Sequence, residues 1–363
     1  MKYKIKGAGP AGLAAAIKLA QKGYSVDVFE KAYSPGGGIG SNIQAMRSYG
    51  SDEKILETFS NEGLKINKMH PIFKIKKYAP SLKFDMLYSK STPIFYTFHR
   101  GKTKNSLDVQ LVEQAEREGV NIHFGKSISL NNSNIIASGS GFDPVGVGYG
   151  SEFKGKLKDN ETISFFFGDK DVPHGYGYIA PFGTDELTIA ITSFRQSDFA
   201  NLRKNFEMFI KNNPIVSELI DGFERVEDFA GFGHFNVPNT GIYNYKYFVG
   251  GAAGFVDPAR GFGVKYALLS GLFAAEAITS NKDYDLLWKE SFEEELIEGF
   301  GRRLLLDKLK IKDYEKFVKG EVKNIKQYVK VPHSFKKKLL TMQANAHLKS
   351  WRKNFDYSNL IDF

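Results

Sequence analysis

The sequence predicts an α/β protein: a domain of parallel strands and helices, interleaved with a second domain on an antiparallel sheet, then a basic helical segment. Three observations predict it. A strand, a glycine loop, a helix and a second strand open the chain. Short strand-like runs bounded by turn residues fill its middle. A glycine-rich turn late in the chain, residues 250–271, runs into a helix of small residues. With 363 residues, 42% of them hydrophobic, the chain can bury the core of one large domain or two intimate ones.

The opening unit is residues 2–31. Tyr3 and Ile5 mark a strand, and Gly7, Gly9 and Gly12 form G-x-G-x-x-G. A small-residue helix follows over 11–21, closed by Gly23, and a second strand over 24–29 ends at Glu30. Gly7 permits the tight turn, Gly9 lets backbone approach a pyrophosphate, and Gly12 lets helix and strand pack closely. The helix N-terminus offers free N–H groups and a positive dipole end. Glu30, 18 residues beyond Gly12, is placed to accept hydrogen bonds from a ribose. Together these are the marks of a Rossmann-like dinucleotide site. Lys2, Lys4 and Lys6 fit it badly, because the first strand of such a sheet is usually apolar on both faces.

After Glu30 comes Gly36-Gly37-Gly38-Ile39-Gly40, either backbone close to a ligand or a mobile loop. Asn42 and Arg47 just beyond it face the ligand or the surface. Residues 95–127 read as a strand, a turn, a helix over 106–118 with Ser106 as N-cap, and a strand over 121–124. A further strand starts at Ile135. Strands over 161–169 and 185–194, joined through residues 174–183, predict the antiparallel sheet. Helices are expected over 201–213 and 264–278, with a strand over 246–254. The expected division is 1–75, 95–150 and 240–285 for the nucleotide domain, 76–94 and 151–239 for the sheet domain, and 286–363 for the basic region.

There is no cysteine, which excludes disulfides, thiolate metal sites and cysteine nucleophiles. The N-terminus lacks the apolar stretch of a secretory signal. The apolar helix near residues 266–278 is shorter than the ~20 residues that span a bilayer. The net charge of +9 belongs to the C-terminal part: residues 301–353 hold 16 Lys/Arg against 4 Asp/Glu. There, Ile311, Tyr314, Val318, Val322, Ile325 and Val329 recur at helical spacing with lysines on other faces, up to Pro332 and Lys336-Lys337-Lys338. Such a helix either lies on an anionic membrane or caps the fold with a solvated lysine face. The 31 Phe suit an apolar substrate lining or a Phe-rich core.

In order and spacing, these pieces over residues 1–280 resemble the geranylgeranyl reductase family, within the para-hydroxybenzoate hydroxylase-like group of FAD enzymes. The matching stretches are G-x-G-P-A-G at Gly7–Gly12, Glu30-Lys31, the Leu107-Asp108 helix start and GxAAGFVDPxxGxGVxYALxSG at residues 250–271. The resemblance implies FAD as cofactor, with Ala11 and Glu30 at its ADP half and the backbone of Gly263 and Val264 at the flavin ring. It makes Gly7, Gly9, Gly12, Lys31, Arg100, Lys104, Ser129 and Gly251 further cofactor candidates. This chain departs from the pattern. Gly251 replaces the acid that holds the ribityl chain, with Asp257 as substitute acid or as a turn residue before Pro258. Lys104 replaces an arginine, with Arg100 nearby. Ser138 replaces an acid, and Tyr176-x-Tyr178-x-Ala180-Pro181 replaces a Tyr-x-Trp-x-Phe-Pro motif. Losing one charged hydrogen bond costs ~1.5–3 kcal/mol, which a cofactor held by many contacts tolerates.

The implied reaction is reduction of carbon–carbon double bonds in isoprenoid or other apolar substrates. Tyr176 and Tyr178 are the catalytic candidates, bordering the substrate tunnel or donating a proton. Monooxygenase or halogenase chemistry is the alternative, the latter needing a lysine such as Lys74, Lys76 or Lys77. A flavoprotein without catalysis is the third reading. The electron donor, NADPH or a ferredoxin-like protein, stays open. A cytoplasmic protein is expected, with peripheral contact to the inner membrane face as an option, no nucleic-acid partner and no metal.

Overall fold

The computed structural model describes residues 2–140, 145–172, 174–326, 341–342 and 344–348. The chain begins β1 (Lys2–Lys6), α1 (Pro10–Gln21), β2 (Ser25–Glu30), β3 (Asn42–Arg47), α2 (Ile55–Asn61), β4 (His70–Ile72), β5 (Lys74–Tyr78) and β6 (Phe84–Tyr88). It continues with β7 (Phe95–Arg100), α3 (Leu107–Arg117), β8 (Asn121–Phe124), β9 (Ile135–Ile136), β10 (Gly146–Lys154), β11 (Thr162–Phe167), β12 (Gly175–Phe182) and β13 (Glu186–Ser193). Then come α4 (Gln196–Phe199), α5 (Leu202–Asn212), α6 (Pro214–Leu219), β14 (Glu224–Gly233), β15 (Ile242–Tyr243) and β16 (Lys246–Phe248). Last are α7 (Val264–Ser280), α8 (Tyr284–Trp288), α9 (Glu294–Leu306), α10 (Ile311–Phe317) and β17 (Val322–Asn324).

Among the described residues the strands form three sheets. The first, ordered β15-β16-β9-β1-β2-β8, is parallel except for the β15–β16 hairpin. Helix α1 packs between this sheet and α7. Here Gly271 matters: a Cβ there would lie 2.1 Å from the Ala11 carbonyl oxygen, so only glycine allows this helix spacing. Apolar side chains of α1, α3, α7 and the sheet, including Ile5, Leu13, Ile17, Leu111 and Leu268, form the main core. Ser106 caps α3 as expected, its Oγ accepting from Val109 N at 3.2 Å.

The lysines of β1 are placed by contacts that spacing does not reveal. Lys4 is exposed, Lys2 pairs with Asp27 at 2.6 Å, and Lys6 Nζ donates to the Ile128 carbonyl at 2.6 Å and to Ser127 Oγ at 3.0 Å. The strand therefore lacks apolar cover on its lysine-bearing face.

The second sheet has eight strands, ordered β14-β10-β13-β12-β11-β5-β6-β17. It is mostly antiparallel, with parallel pairing of β11 to β5 and of β6 to β17. Its outer face buries Phe166, Ile189 and Ile191 against Phe206 and Phe209 of α5. Its inner face packs on the third sheet, β3-β7-β4, through Ile43, Ile72, Phe95, Ile163, Phe165 and Tyr176. Hydrogen bonds tie these layers, among them Thr97 Oγ1 to the Pro181 carbonyl at 2.6 Å and Ile43 N to Thr188 Oγ1 at 3.0 Å.

Two expectations change. Residues 174–183, read as a connection, contain the central strand β12. Glycines at 175 and 177 let it sit against Thr192 and Phe209, where a Cβ would lie 1.7 and 2.6 Å from its neighbours. Their low strand propensity hid the alternation of Tyr176, Tyr178 and Ala180. The helical stripe expected through Val318 and Val322 is also broken. Helix α10 stops at Phe317, and Val322–Asn324 adds an edge strand to β6, with Asp85 Oδ1 accepting from Lys319 N and Glu321 N at 2.9 and 2.8 Å. Val329, Pro332 and the Lys336–Lys338 run lie outside the described residues. No described helix is long and apolar enough to cross a membrane.

Candidate functional site

The glycine loop between β1 and α1 adopts the geometry its sequence predicts. Gly7 has φ +102°, and its N–H donates to the Phe29 carbonyl at 2.8 Å. A Cβ on Gly7 would stand 2.2 Å from the Ala137 carbonyl oxygen, so the residue is confined to glycine by φ and by space. Gly9 is the N-cap of α1 and Pro10 its first residue, with no side chain capping the end. First-turn amides of a helix have no partner inside it, and a Cβ on Gly9 would meet nothing within 4 Å. The loop thus presents a positive helix end to open space, the arrangement a phosphate needs. Glu30 is held at the end of β2 by two backbone amides: Oε2 accepts from Ala8 N and Oε1 from Ala32 N, both at 2.8 Å. A carboxylate has about four lone-pair sites, so both oxygens keep capacity for ribose hydroxyls. Lys31 beside it is exposed.

The arginine question is resolved by geometry. Arg100, at the end of β7, makes a two-pronged contact with Asp108: Nε to Oδ2 at 2.8 Å and Nη2 to Oδ1 at 3.0 Å. Its Nη1 donates to Gln44 Oε1 at 3.2 Å. Lys104 is exposed, four residues away along the turn. Ser129 opens the 3-10 turn Leu130–Asn132, and its carbonyl accepts from Asn132 N and Ser133 Oγ. These contacts are local to that turn, next to the segment gripped by Lys6.

Gly251 sits in the 3-10 turn Gly250–Ala253 against residues 139–140. A Cβ at 251 would lie 2.9 Å from Ser140 N and 3.1 Å from the Gly139 carbonyl carbon. The missing acid is therefore a packing requirement of this chain: the backbone of 139–140 occupies the space an aspartate would need. Asp257 does not substitute for it. It is buried, its Oδ1 accepts from Ala259 N and Arg260 N at 2.8 and 3.2 Å, and its Oδ2 pairs with Arg260 Nη1 at 2.7 Å. It is a turn residue, and it shapes the loop that leads to Gly263, the N-cap of α7.

That loop forms one wall of a cavity of about 220 Å³ between the sheets. Gly261, Gly263 and Val264 lie at one part of its lining, with Asn42, Gln44 and Ala45 of β3. Ile163, Phe165, Tyr178 and Phe194 from the large sheet supply apolar wall. Tyr176 and Tyr178 both reach it, as neighbouring inward residues of β12 with ring centroids 6.2 Å apart. They differ in their hydroxyls. Tyr176 donates its O–H to the Arg260 carbonyl, so it braces the loop rather than offering a proton. Tyr178 Oη has no protein partner among the described contacts. Burial raises both phenols well above their ordinary value, so both stay protonated. His174, with φ +59°, is a turn residue whose Nδ1 lies 3.0 Å from Asp198.

A charged cluster behind α7 was not anticipated. Arg47 Nε contacts Asp52 at 2.6 Å, and Arg47 also pairs with Glu295 of α9. Lys265 Nζ reaches Asp52 at 3.1 Å and Glu295 at 2.5 Å, and Tyr266 donates to Glu295 at 3.0 Å. Arg47 therefore does not face the cavity's ligand side. Burial would raise the Glu295 carboxyl, but Arg47 and Lys265 hold it down at about 2. A lysine in the first turn of an apolar helix was the one sequence signal for this cluster, since a buried cation there opposes the dipole and needs carboxylates.

The described residues fit a flavin dinucleotide. An uncapped helix end, an anchored acid and an open glycine face lie at the adenine-nucleotide end, and a second uncapped helix end lines a cavity. The family description that matches, over residues 5–52, is the NAD(P)-binding Rossmann-like domain. The chain is 30% identical over 174 residues to digeranylgeranylglycerophospholipid reductase 2 of Methanothermobacter thermautotrophicus, covering 44% of this chain and 42% of that protein. The match thus spans about two fifths of that relative's length. By structure it is similar to a geranylgeranyl bacteriochlorophyll reductase-like protein from Thermoplasma acidophilum, with TM-score 0.72 and 18% identity over 96% of this chain and 100% of that one. It is also similar to the flavin-dependent brominase Bmp2, with TM-score 0.61 and 14% identity over 98% of this chain and 100% of that one. In sequence and in fold, the chain resembles the geranylgeranyl reductase family of FAD-dependent oxidoreductases.

Proposed function

We propose that this chain is an FAD-dependent oxidoreductase that reduces carbon–carbon double bonds of an isoprenoid or other apolar substrate. The observation that carries this reading is the cavity: aromatic and aliphatic side chains of the large sheet wall it, and the uncapped N-terminus of α7 lines it beside them. FAD, when bound, supplies the hydride chemistry. The protein's share is orientation, exclusion of water and a proton source. Gly7, Gly9, Ala11, Gly12 and Glu30 would hold the ADP half, with Arg100 keeping β3 and α3 in register through Asp108. The backbone of Gly263 and Val264 would face the ring. Tyr178, protonated and facing the cavity, is the residue of the tyrosine pair that can donate to the second alkene carbon; Tyr176 holds the loop that places the ring.

The halogenase reading shares the fold but needs a lysine at the cavity. Lys74 pairs with Glu161, Lys76 lies over the Phe84 ring, and Lys77 is half-buried, with its amine pushed down by desolvation. None of the three lines the cavity. This supports the reductase reading. The electron donor is NADPH or a ferredoxin-like protein, and the basic C-terminal region offers a peripheral contact to an anionic membrane.

The deciding experiment is anaerobic. The purified protein is reduced with dithionite, and its flavin spectrum is followed with a geranylgeranyl lipid in one cuvette and air in another. Reoxidation by the lipid, with saturated product by mass spectrometry, is the expected result. Silence toward the lipid together with a peroxyflavin-like intermediate in air would transfer the assignment to oxygen chemistry.

A further inference from the structure

At one end the cavity has a floor without side chains. On the inner face of the large sheet, the register sets Tyr176 beside Thr192, Thr192 beside Gly148, and Gly148 beside Gly231. All four line the cavity. An aromatic ring thus gives way to a small side chain and then to bare backbone from β12 through β13 and β10 to β14, three strand spacings or about 14 Å. Thr192 keeps this path apolar: its hydroxyl is bonded to the Tyr176 backbone at 3.2 and 3.3 Å, and its methyl stands next to Gly148. Phe229, two residues before Gly231, and Phe194, against Gly146, wall the path on its two sides. Strand β14 is the last of its sheet and Gly231 on it is exposed, so the path opens at the sheet edge.

Among the described residues nothing requires glycine on this floor. Gly146 and Gly150 are explained by packing, since a Cβ would lie 3.0 Å from the Phe194 ring and 2.4 Å from Ala190. At Gly231 and Gly233 a Cβ would meet nothing within 4 Å, and at Gly148 only ordinary contacts at 3.6 and 3.8 Å. None of these three has a positive φ, and the register shift between β10 and β14 falls elsewhere, between Glu152 and Phe153. Glycine weakens a strand, and where no bulge, bend or neighbouring backbone calls for it, it marks the close approach of a ligand. A second observation points the same way: Tyr178, in the cavity wall at the other end of the path, is a desolvated phenol with no partner among the described contacts. We propose that Gly148 and Gly231 floor the groove that takes the apolar chain of the substrate, which runs from the ring site across β13, β10 and β14 to the sheet edge. A floor about 14 Å long and about 7 Å wide, one same-face repeat of a strand, has the proportions of an extended hydrocarbon such as an isoprenoid rather than of a fused-ring compound. This rests on the reading of the cavity as the substrate site and adds to it the residues that select chain length.

The test is calorimetric binding of geraniol, farnesol and geranylgeraniol to the purified full-length protein with its flavin oxidised. Wild type is expected to bind each longer alcohol more tightly, as more apolar surface is buried. Gly148→Leu should weaken farnesol and geranylgeraniol at least tenfold, and Gly231→Leu geranylgeraniol alone, with geraniol held within threefold by both. Gly148→Val and Gly231→Val give the same pattern if a leucine variant does not fold. The valine variants are expected to melt at or above the wild-type temperature, since strands disfavour glycine. A clear fall would show that packing demands glycine there and would overturn the proposal. So would equal weakening of all three alcohols, unchanged affinity for geranylgeraniol in both folded variants, or a wild type that binds none of them. The reductase reading fails separately: a protein that binds the alcohols in this pattern, but whose reduced flavin no isoprenoid lipid reoxidises, keeps the groove and loses the double-bond chemistry.

Discussion

Glu295 shows how much one side chain carries. It receives Arg47, Lys265 and Tyr266 at once, and its own side chain is 23% exposed. Replacing it by glutamine leaves a buried lysine and a half-buried arginine with only Asp52 between them. Glu295→Gln should therefore cost about 3 kcal/mol, read as a lower midpoint in urea denaturation. The acid limb has a defined sign. A carboxyl held at about 2, below its unfolded value of 4.5, contributes stability above pH 4.5 that is lost as pH falls toward 2. The variant should lack that part of the acid transition. Gly251 makes the opposite point. Restoring the family's acid by Gly251→Asp forces a Cβ against Ser140 N and should destabilise by ~1–3 kcal/mol. Titration of the folded variant with FAD should show no gain in affinity over wild type; a gain would mean that residues 139–140 yield more easily than their packing implies.

Among elements, the contact between β7 and the large sheet has a titrating centre. His99 of β7 meets Glu186 of β13 at 2.7 Å through Nε2, and its Nδ1 lies 3.5 Å from Glu152 of β10. Lys154 also pairs with Glu186, at 3.1 Å, and the Phe182 ring stands edge-on at 4.4 Å. Burial would lower the imidazole's pKa, but the two carboxylates raise it by more. At 3.5 Å the Glu152 contact is a charge interaction rather than a hydrogen bond, and both atoms are otherwise unpartnered. A raised pKa gives stability that is complete below the unfolded value of about 6.5 and is lost as pH rises through the folded one. Wild type should thus lose thermal stability on going from pH 6 to pH 9 relative to His99→Gln, whose melting temperature should vary less over that range. Parallel profiles for the two proteins would show that the bridge adds nothing to stability.

At the scale of the whole molecule, the cofactor would sit where the three sheets and α7 converge. Its binding should consolidate both domains together. At a free concentration 100 times its dissociation constant, FAD should raise unfolding stability by about 2.7 kcal/mol. Calorimetry with and without FAD checks this, and a melting temperature indifferent to FAD would show that the glycine loop and cavity do not make one site. The large sheet also recruits the C-terminal segment through β17, so that segment belongs in part to the same fold rather than to an appended tail.

The sequence by itself determined what depends on a few neighbouring residues. The glycine loop and its helix, the Ser106 cap, the acid ending β2 and the small-residue helix α7 were all legible, because φ preference, capping and periodicity act within a turn or two. Tyr176 and Tyr178 were named through the resemblance of their motif alone, because residues 174–183 read as a connection and not as a strand. Tertiary structure alone decided which hydroxyl is committed to the Arg260 carbonyl. It also decided that Arg100 rather than Lys104 meets Asp108, that Asp257 caps a turn, and that backbone at 139–140 excludes an acid at 251. The pairing of Lys265 with Glu295 and Asp52 belongs to the same class. Each depends on groups brought together from distant parts of the chain, where burial sets the cost of a lone charge or acceptor, and no local pattern encodes which partner arrives.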